Sequence, residues 1–241
     1  MTSFWDEKFE PTGYEETWSE GETISGSGVL DEDFVTSGVT GAPGNWDAKC
    51  LRVVSDAAGA VLVGHDFASA QVISYFRMEV IVKAFPAIGA NFGIERLAHQ
   101  FDSGATDVWT FGIQRRDSLS PNGFNWLWQG NDDGGGLNGR PDTTNDIALD
   151  TRYRLECEWD ATGDTWEWRI DGDPVANGML TSTHPINIQN NFRIGWESAA
   201  TGGEIFIDNV AFDDADWVGP AAGNLLLLNP ARLNGGFREG L

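Results

Sequence analysis

Residues 152–172 alternate strictly with period two on both sides of a short turn, and this leaves few folds open to the chain. In the first half Tyr153, Leu155, Cys157 and Trp159 project one way and Arg152, Arg154, Glu156, Glu158 and Asp160 the other, as in a strand with one buried face. Ala161-Thr162-Gly163-Asp164 makes the turn. Trp166, Trp168 and Ile170 then alternate with Thr165, Glu167 and Arg169 until Asp171-Gly172 ends the run. The spacing predicts an antiparallel hairpin with one apolar face. A lone hairpin cannot shield that face from water, so a second sheet must cover it.

The longest further run, 71–85, keeps the same period. Val72, Phe76, Met78, Val80, Val82 and Ala84 share one face, broken only by Ser74, and Ile73, Tyr75, Arg77, Glu79, Ile81, Lys83 and Phe85 share the other. Recurrence at i, i+2 and i+4 excludes a helix. Shorter strands are expected at 4–10, 50–54, 60–63, 91–101, 108–116, 125–129, 192–196 and 204–212. Residues 19–49 read as a long loop with at most short strands, and 130–141 as a flexible, turn-rich connection. The 30 Gly and 9 Pro set among 11 Trp and 14 Phe fit about a dozen strands joined by tight turns. The expected fold class is all-β: one two-sheet antiparallel jelly-roll sandwich over 1–217, followed by a C-terminal extension, 218–241.

Fifteen Lys and Arg against 37 Asp and Glu give a formal charge of −22. Such a chain repels nucleic acid and anionic lipid, so neither is an expected partner. Cys50 and Cys157 lie inside apolar runs without metal-binding spacing and are expected to be free, buried thiols. Residues 1–7 lack the basic and apolar regions of a secretory leader, and no stretch approaches the length of a membrane span.

Three motifs carry a likeness: Tyr153-Arg-Leu-Glu, the return strand Trp166-x-Trp-x-Ile-Asp-Gly, and the closing run Ile205-Phe-Ile-Asp-Asn-Val-Ala-Phe. Together with Phe9-Glu10 they resemble the concanavalin A-like lectin/glucanase superfamily, in particular its laminin G-like branch, over roughly 4–217. The resemblance implies two antiparallel sheets, a curved face able to hold glycans, and often a structural calcium. It also implies company: similar modules occur in phage structural proteins and in secreted carbohydrate-active proteins. By analogy with calcium sites in β-sandwiches, Glu10 and Asp208 are the candidate calcium ligands.

The catalytic glucanases of that superfamily carry Glu-x-Asp-x-x-Glu, which is absent here; Glu204 and Asp208 have the wrong spacing. Glu156 and Glu158, two apart on a strand, would stand about 6.6 Å apart, a separation a glycosidase could use. Arg152 and Arg154 on the same face are expected to keep both ionised, against the needs of a general acid. His65, His99 and His184 are isolated in sequence and read as surface or loop residues. The chain is therefore expected not to be an enzyme, and a glucanase-type glycosidase survives only through Glu156 and Glu158.

Sugar binding asks for aromatic faces flanked by amides and carboxylates. Trp126 and Trp128, with Asn125, Gln129, Asn131 and Asp132, form the candidate carbohydrate site; burial of both Trp side chains in the core is the competing reading. In the tail, Leu225, Leu226, Leu227 and Leu228 are too apolar to stay solvated and should pack on their own domain or on a neighbour; with Phe237 they are the candidate assembly residues.

The expected function is a structural or adhesive module: a phage virion component, as capsid decoration or tail protein, at the virion surface or outside the cell. It would assemble with itself, for example as a trimer, or with other virion proteins, and glycan binding is compatible with that role. The alternative is a carbohydrate-binding module of a secreted protein.

Overall fold

Two antiparallel sheets account for the fold. The computed structural model describes residues 5–7, 21–43, 46, 49–89, 93–102, 107–116, 123–133, 136–141, 146–163, 165–179, 189–197, 201–213 and 217. Among them lie fifteen strands: β1 (Trp5–Glu7), β2 (Gly21–Ile24), β3 (Val29–Val35), β4 (Lys49–Val54), β5 (Val61–Gln71), β6 (Ile73–Ala84), β7 (Ile94–Asp102), β8 (Asp107–Arg115), β9 (Phe124–Asp133), β10 (Gly136–Pro141), β11 (Arg152–Asp160), β12 (Thr165–Ile170), β13 (Asp173–Met179), β14 (Gln189–Trp196) and β15 (Glu204–Asp213). Sheet I runs β13-β12-β11-β6-β15-β4-β3, with β1 also on β15; sheet II runs β10-β9-β8-β7-β14-β5-β2. A single 3-10 turn, Thr36–Gly38, is the only helical element among the described residues, and none of them forms a helix long and apolar enough to cross a membrane.

The alternation that predicts the hairpin is the alternation that fills the core. β11 pairs with β12 in the register Cys157↔Trp168 and with β6 in the register Cys157↔Phe76, so Leu155, Cys157, Trp159, Trp166, Trp168, Phe76, Met78 and Val80 all face inward. Sheet II answers with Trp109, Phe111, Ile113, Trp126, Trp128, Phe192 and Ile194. Trp128 stacks on Trp166, with centroids 4.6 Å apart and planes 20° apart, and Phe76, Trp109 and Phe212 form a second aromatic group with centroids 4.9 Å apart in two of its pairs. Each such pair adds about 0.5–1.5 kcal/mol beyond the area it buries.

The closing strand β15 needs a correction of register to stay in this core. Ile205 and Ile207 point inward, and strict alternation would send Val210 and Phe212 out to solvent. Opposite β6, however, Asp208 pairs with Glu79 and Ala211 with Arg77, so two residues of β15 face Met78 alone. This is a β-bulge, and Asn209 sits in it with φ +53°, a left-handed conformation that Asn tolerates better than most residues. Val210 and Phe212 thereby return to the core, both fully buried.

Part of the outer face of sheet I is also covered. Val39, Trp46, Cys50, Ile81 and Phe206 form a second, smaller core with Phe34 and Ala42. It is tied down at Glu79, itself fully buried. Trp46 Nε1–H donates to Glu79 Oε2 at 2.7 Å, Arg152 Nη2 to Oε1 at 3.2 Å, and Asn209 Nδ2 to Oε2 at 3.4 Å.

Several expectations change. The stretch 130–141 is not a loose connection: β9 continues to Asp133, and β10 (Gly136–Pro141) pairs antiparallel with it. Residues 173–179, unread as a strand, form β13 on the edge beyond β12. Within 19–49 lies β3, seven residues long. Val72, assigned to the core face of its run, is 45% exposed, because β6 begins one residue later. Cys50 and Cys157 are free and buried, on opposite faces of sheet I.

Candidate functional site

On the face of sheet II turned away from the core, the strand registers align a transverse row of side chains. Gly64 of β5 pairs with Arg193 of β14, Arg193 with His99 of β7, His99 with Thr110 of β8, Thr110 with Gln129 of β9, and Gln129 with Gly139 of β10. Arg193, His99, Thr110 and Gln129 thus span three inter-strand gaps, roughly 14 Å. Gln114 and Asn125, a cross-strand pair on the same face, stand two positions beyond Gly112 and Leu127. An outward face ordinarily bathes its polar groups in water. Here His99 is 2% exposed, Thr110 1%, Asn125 1% and Gln114 9%.

Their hydrogen bonding is incomplete. Both nitrogens of His99, the Thr110 hydroxyl and Gln114 Oε1 are buried with no hydrogen-bond partner. A native interior leaves few such groups, and each one is costly. Arg193 and Gln129 are only half-buried and flank the buried members of the row. The Arg193 guanidinium lies over the Phe101 ring, 4.8 Å from its centroid, and Phe101 meets His99 edge-on at 4.3 Å.

Charge gathers at one end of this row. Arg96 Nη1 donates to Asp107 Oδ2 and to Glu197 Oε2, each at 3.0 Å. The other oxygens of the same carboxylates face His99: Nδ1 lies 3.5 Å from Asp107 Oδ1 and 3.3 Å from Glu197 Oε1, without hydrogen-bond alignment. Burial works to raise the Asp107 carboxyl, but His99 and the Arg96 guanidinium outweigh it and hold it below the usual carboxylate range.

The outer face of sheet I carries the other ionisable cluster. Arg154 Nε lies 3.1 Å from Glu156 Oε2, and Tyr75 hydroxyl donates to Glu158 Oε1 at 3.4 Å. Glu158 pairs across strands with Glu167, which is held by Arg169; the Arg169 guanidinium covers the Trp217 ring at 3.6 Å. Burial raises the Glu156 carboxyl even against Arg154, Arg169 and Arg77. It also raises Glu158, helped by Glu167 and Asp160. For both acids, burial outweighs the pull of the neighbouring arginines that was expected to keep them ionised, and the carboxyls are raised. A 380 Å³ depression at the edge of this sheet is lined by Glu158, Thr165, Trp166, Glu167, Asn177 and Gly178.

The residues singled out from sequence fall in different places. Trp126 and Trp128 are each 1% exposed and point into the core, where Trp126 meets Tyr153 and Trp128 meets Trp166, so neither ring has a face to offer a sugar. Asn125 and Gln129, their alternating neighbours, do point outward, onto sheet II's polar face. Asn131 and Asp132 continue β9, and their side chains lie outside the described residues. Of the calcium pair, Glu10 lies outside the described residues. Asp208 is fully buried and accepts from Asn209 N–H at 2.7 Å. Among the described residues no group of three His, Cys, Asp or Glu side chains gathers around Asp208. Leu225, Leu226, Leu227, Leu228 and Phe237, with the whole of 218–241, lie outside the described residues.

His99 is what the sequence reading missed: it is a buried member of β7, not a surface or loop residue. Its neighbours Asp107 and Glu197 are 8 and 98 positions away in sequence, so no local spacing could announce the cluster. The signal that was available is the placing of His99 within the expected strand 91–101, with Leu97-Ala98 before it and Phe101 two positions after it.

Neither a protein-family model nor a curated protein sequence matches the chain. Solved structures do. The cellulose-induced protein Cip1 superposes with a TM-score of 0.60 at 13% identity, over 90% of this chain and 99% of that one. An endo-beta-1,4-glucuronan lyase from the fungus Trichoderma reesei gives 0.58 at 13% identity, over 88% and 95%. The ligand binding domain of botulinum neurotoxin serotype D, solved in complex with N-acetylneuraminic acid, gives 0.58 at 9% identity, over 90% of this chain and 48% of that one. At these identities the likeness is one of fold alone: the chain is a two-sheet antiparallel jelly-roll sandwich.

Proposed function

We propose that the chain is a non-enzymatic glycan-binding module whose binding face is the outer face of sheet II. The observation that carries the reading is the set of buried, unpartnered polar atoms there: His99 Nε2, the Thr110 hydroxyl and Gln114 Oε1. A ligand rich in hydroxyls would meet the half-buried Arg193 and Gln129 first, and would supply the donors and acceptors the buried atoms lack once the side chains over them move aside. The same fold in a glucuronan lyase and in a toxin domain holding a sialic acid supports the reading as an analogy of fold only.

The test is a glycan array followed by titration of the best ligand into the parent chain and Thr110→Val. Removing an unsatisfied buried hydroxyl for an isosteric methyl costs the fold little or nothing. Binding should weaken about fivefold to tenfold, the size of one hydrogen bond, at an unchanged or higher melting temperature. Equal binding by both proteins, or an array without a ligand, rejects this face.

A second reading follows from one observation, the raised Glu158 carboxyl beside the Tyr75 hydroxyl at the edge depression. A glycosidase general acid needs such a shift. Activity on β-glucan that disappears in Glu158→Gln establishes this reading; an inactive parent chain ends it.

The virion-component reading concerns where the module is carried and rests on the apolar tail. Light scattering of the full chain and of a chain ending at Trp217 tests it. An oligomer, such as a trimer, that becomes a monomer on shortening supports assembly through Leu225–Leu228; two monomers remove its basis.

A further inference from the structure

We propose that His99, Asp107 and Glu197 form a binding site for a divalent transition-metal ion, best suited to zinc, with Arg96 as the residue that positions both carboxylates. Among the described residues this is the one group of three ligating side chains whose donor atoms lie within 4.8 Å of one another. It is assembled from β7, the first residue of β8 and the residue after β14. Glu197 is fixed at its backbone, where its N–H donates to Arg96 C=O at 3.2 Å.

The division of the carboxylate oxygens points to a cation. Arg96 takes Oδ2 of Asp107 and Oε2 of Glu197, and leaves Oδ1 and Oε1 turned toward His99 Nδ1. Zinc binds nitrogen and oxygen ligands at about 2.0–2.2 Å in tetrahedral sites, so neighbouring ligand atoms stand about 3.4 Å apart. The His99 to Glu197 and His99 to Asp107 separations are 3.3 and 3.5 Å, two edges of such a tetrahedron. Both nitrogens of His99 are buried and unpartnered. A bound ion would satisfy Nδ1, and the outer-shell arginine plays the part that ligand-orienting groups play in metal sites.

Charge and ligand type agree. Two carboxylates against one guanidinium leave the cluster one positive charge short of balance, in a chain of formal charge −22. An imidazole with two carboxylates suits zinc, manganese or iron(II) rather than calcium, which takes oxygen ligands alone. The carboxylates are 19% and 27% exposed, which gives an ion a way in and leaves the fourth position for water.

The site goes beyond the glycan-binding reading and needs no sugar. The test is calorimetric titration of zinc chloride into the full chain, stripped with chelator and free of glycan. One zinc per chain is expected, with a rise in melting temperature. Glu197→Gln keeps the Arg96 to Asp107 pair and should fold; Arg96→Gln should lose about 10- to 100-fold in zinc affinity, and Glu197→Gln at least as much. Nitrogen NMR should show the His99 Nδ1 resonance moving on zinc addition in the parent chain alone. Thr110→Val should bind zinc like the parent, which separates this site from the sugar face. The proposal is overturned if the stripped chain takes up no zinc, or if Glu197→Gln and the parent bind it equally; the former outcome leaves the cluster as a carboxylate pair bridged by Arg96 with no metal.

Discussion

Glu158 on β11 stands directly opposite Glu167 on β12, so two carboxylates meet across the outer face of sheet I. Like charges at such a position destabilise a sheet. Glu158 responds with a raised carboxyl, through burial first and then through Glu167 and Asp160. A group whose folded value is raised contributes stability that is full below its unfolded value, 4.5 for glutamate, and fades as pH rises through the folded value. Glu156, raised by burial, adds in the same direction. Unfolding in urea should therefore show the chain losing stability from pH 4.5 toward neutrality. Glu158→Gln should flatten that slope and stabilise the protein at pH 7 by roughly 0.2–1 kcal/mol. A slope unchanged by the substitution would mean that Glu158 is ordinarily solvated.

Removing Glu79 should do the opposite. Its carboxylate is the common acceptor for Trp46, Arg152 and Asn209, and it is fully buried. Glu79→Ala takes this acceptor from the Trp46 and Asn209 N–H donors and from Arg152 Nη2, while Arg152 Nη1 keeps its pair with Asp171, a loss of about 1–3 kcal/mol for each buried donor left unsatisfied. The smaller core around Trp46 should open with it, read as a red shift of Trp fluorescence under native conditions.

The hairpin at 152–172 and the run at 71–85 were legible because one face of each packs into the main core, which imprints period two; the other face of β6 is mixed in sequence because Glu79 and Ile81 are buried there under the smaller core. β10 and β13 were not legible for the matching reason. They are edge strands, Gly136–Pro141 and Asp173–Met179, rich in Gly, Asn and Pro, and their pairing rests on backbone hydrogen bonds that leave no side-chain pattern. Sheet II misled at Trp126 and Trp128. Their alternation with Asn125 and Gln129 gave the strand correctly but could not tell which face was inward, since polar residues on the outer face are themselves buried. The His99 cluster was invisible because β7, β8 and the end of β14 meet only through the sheet order.

The two thiols should be silent in the folded chain. Burial, with the charges of Asp208 and Asp31, pushes Cys50 up to about 12, and burial pushes Cys157 well above its ordinary value. Only the thiolate reacts. Titration with a thiol-specific disulfide reagent at pH 8 should find no reactive group in the native protein and two after denaturation. One fast-reacting thiol in native buffer would place Cys50 outside the small core.

The Trp128 and Trp166 stack makes two glycines structurally necessary. A Cβ at Gly130 would come within 2.2 Å of Trp128 Cη2, and one at Gly178 within 2.6 Å of Trp166 Cζ2. The indoles therefore lie where side chains of β9 and β13 would otherwise stand, and the missing Cβ atoms give the rings their room. Gly130→Ala should overpack this layer and cost about 1–3 kcal/mol, and Gly178→Ala a similar amount. Trp128→Ala, which empties the layer, should cost about 3–5 kcal/mol. Because the stack is fully interior, all three changes should lower the midpoint of urea unfolding and weaken near-ultraviolet circular dichroism. In Gly130→Ala, which stays folded, a glycan bound on the outer face of sheet II should be held as tightly as by the parent chain. Loss of binding in Gly130→Ala without loss of stability would return the Trp128 face to the list of contact surfaces, and retention of both would show that the ring has room the packing denies it.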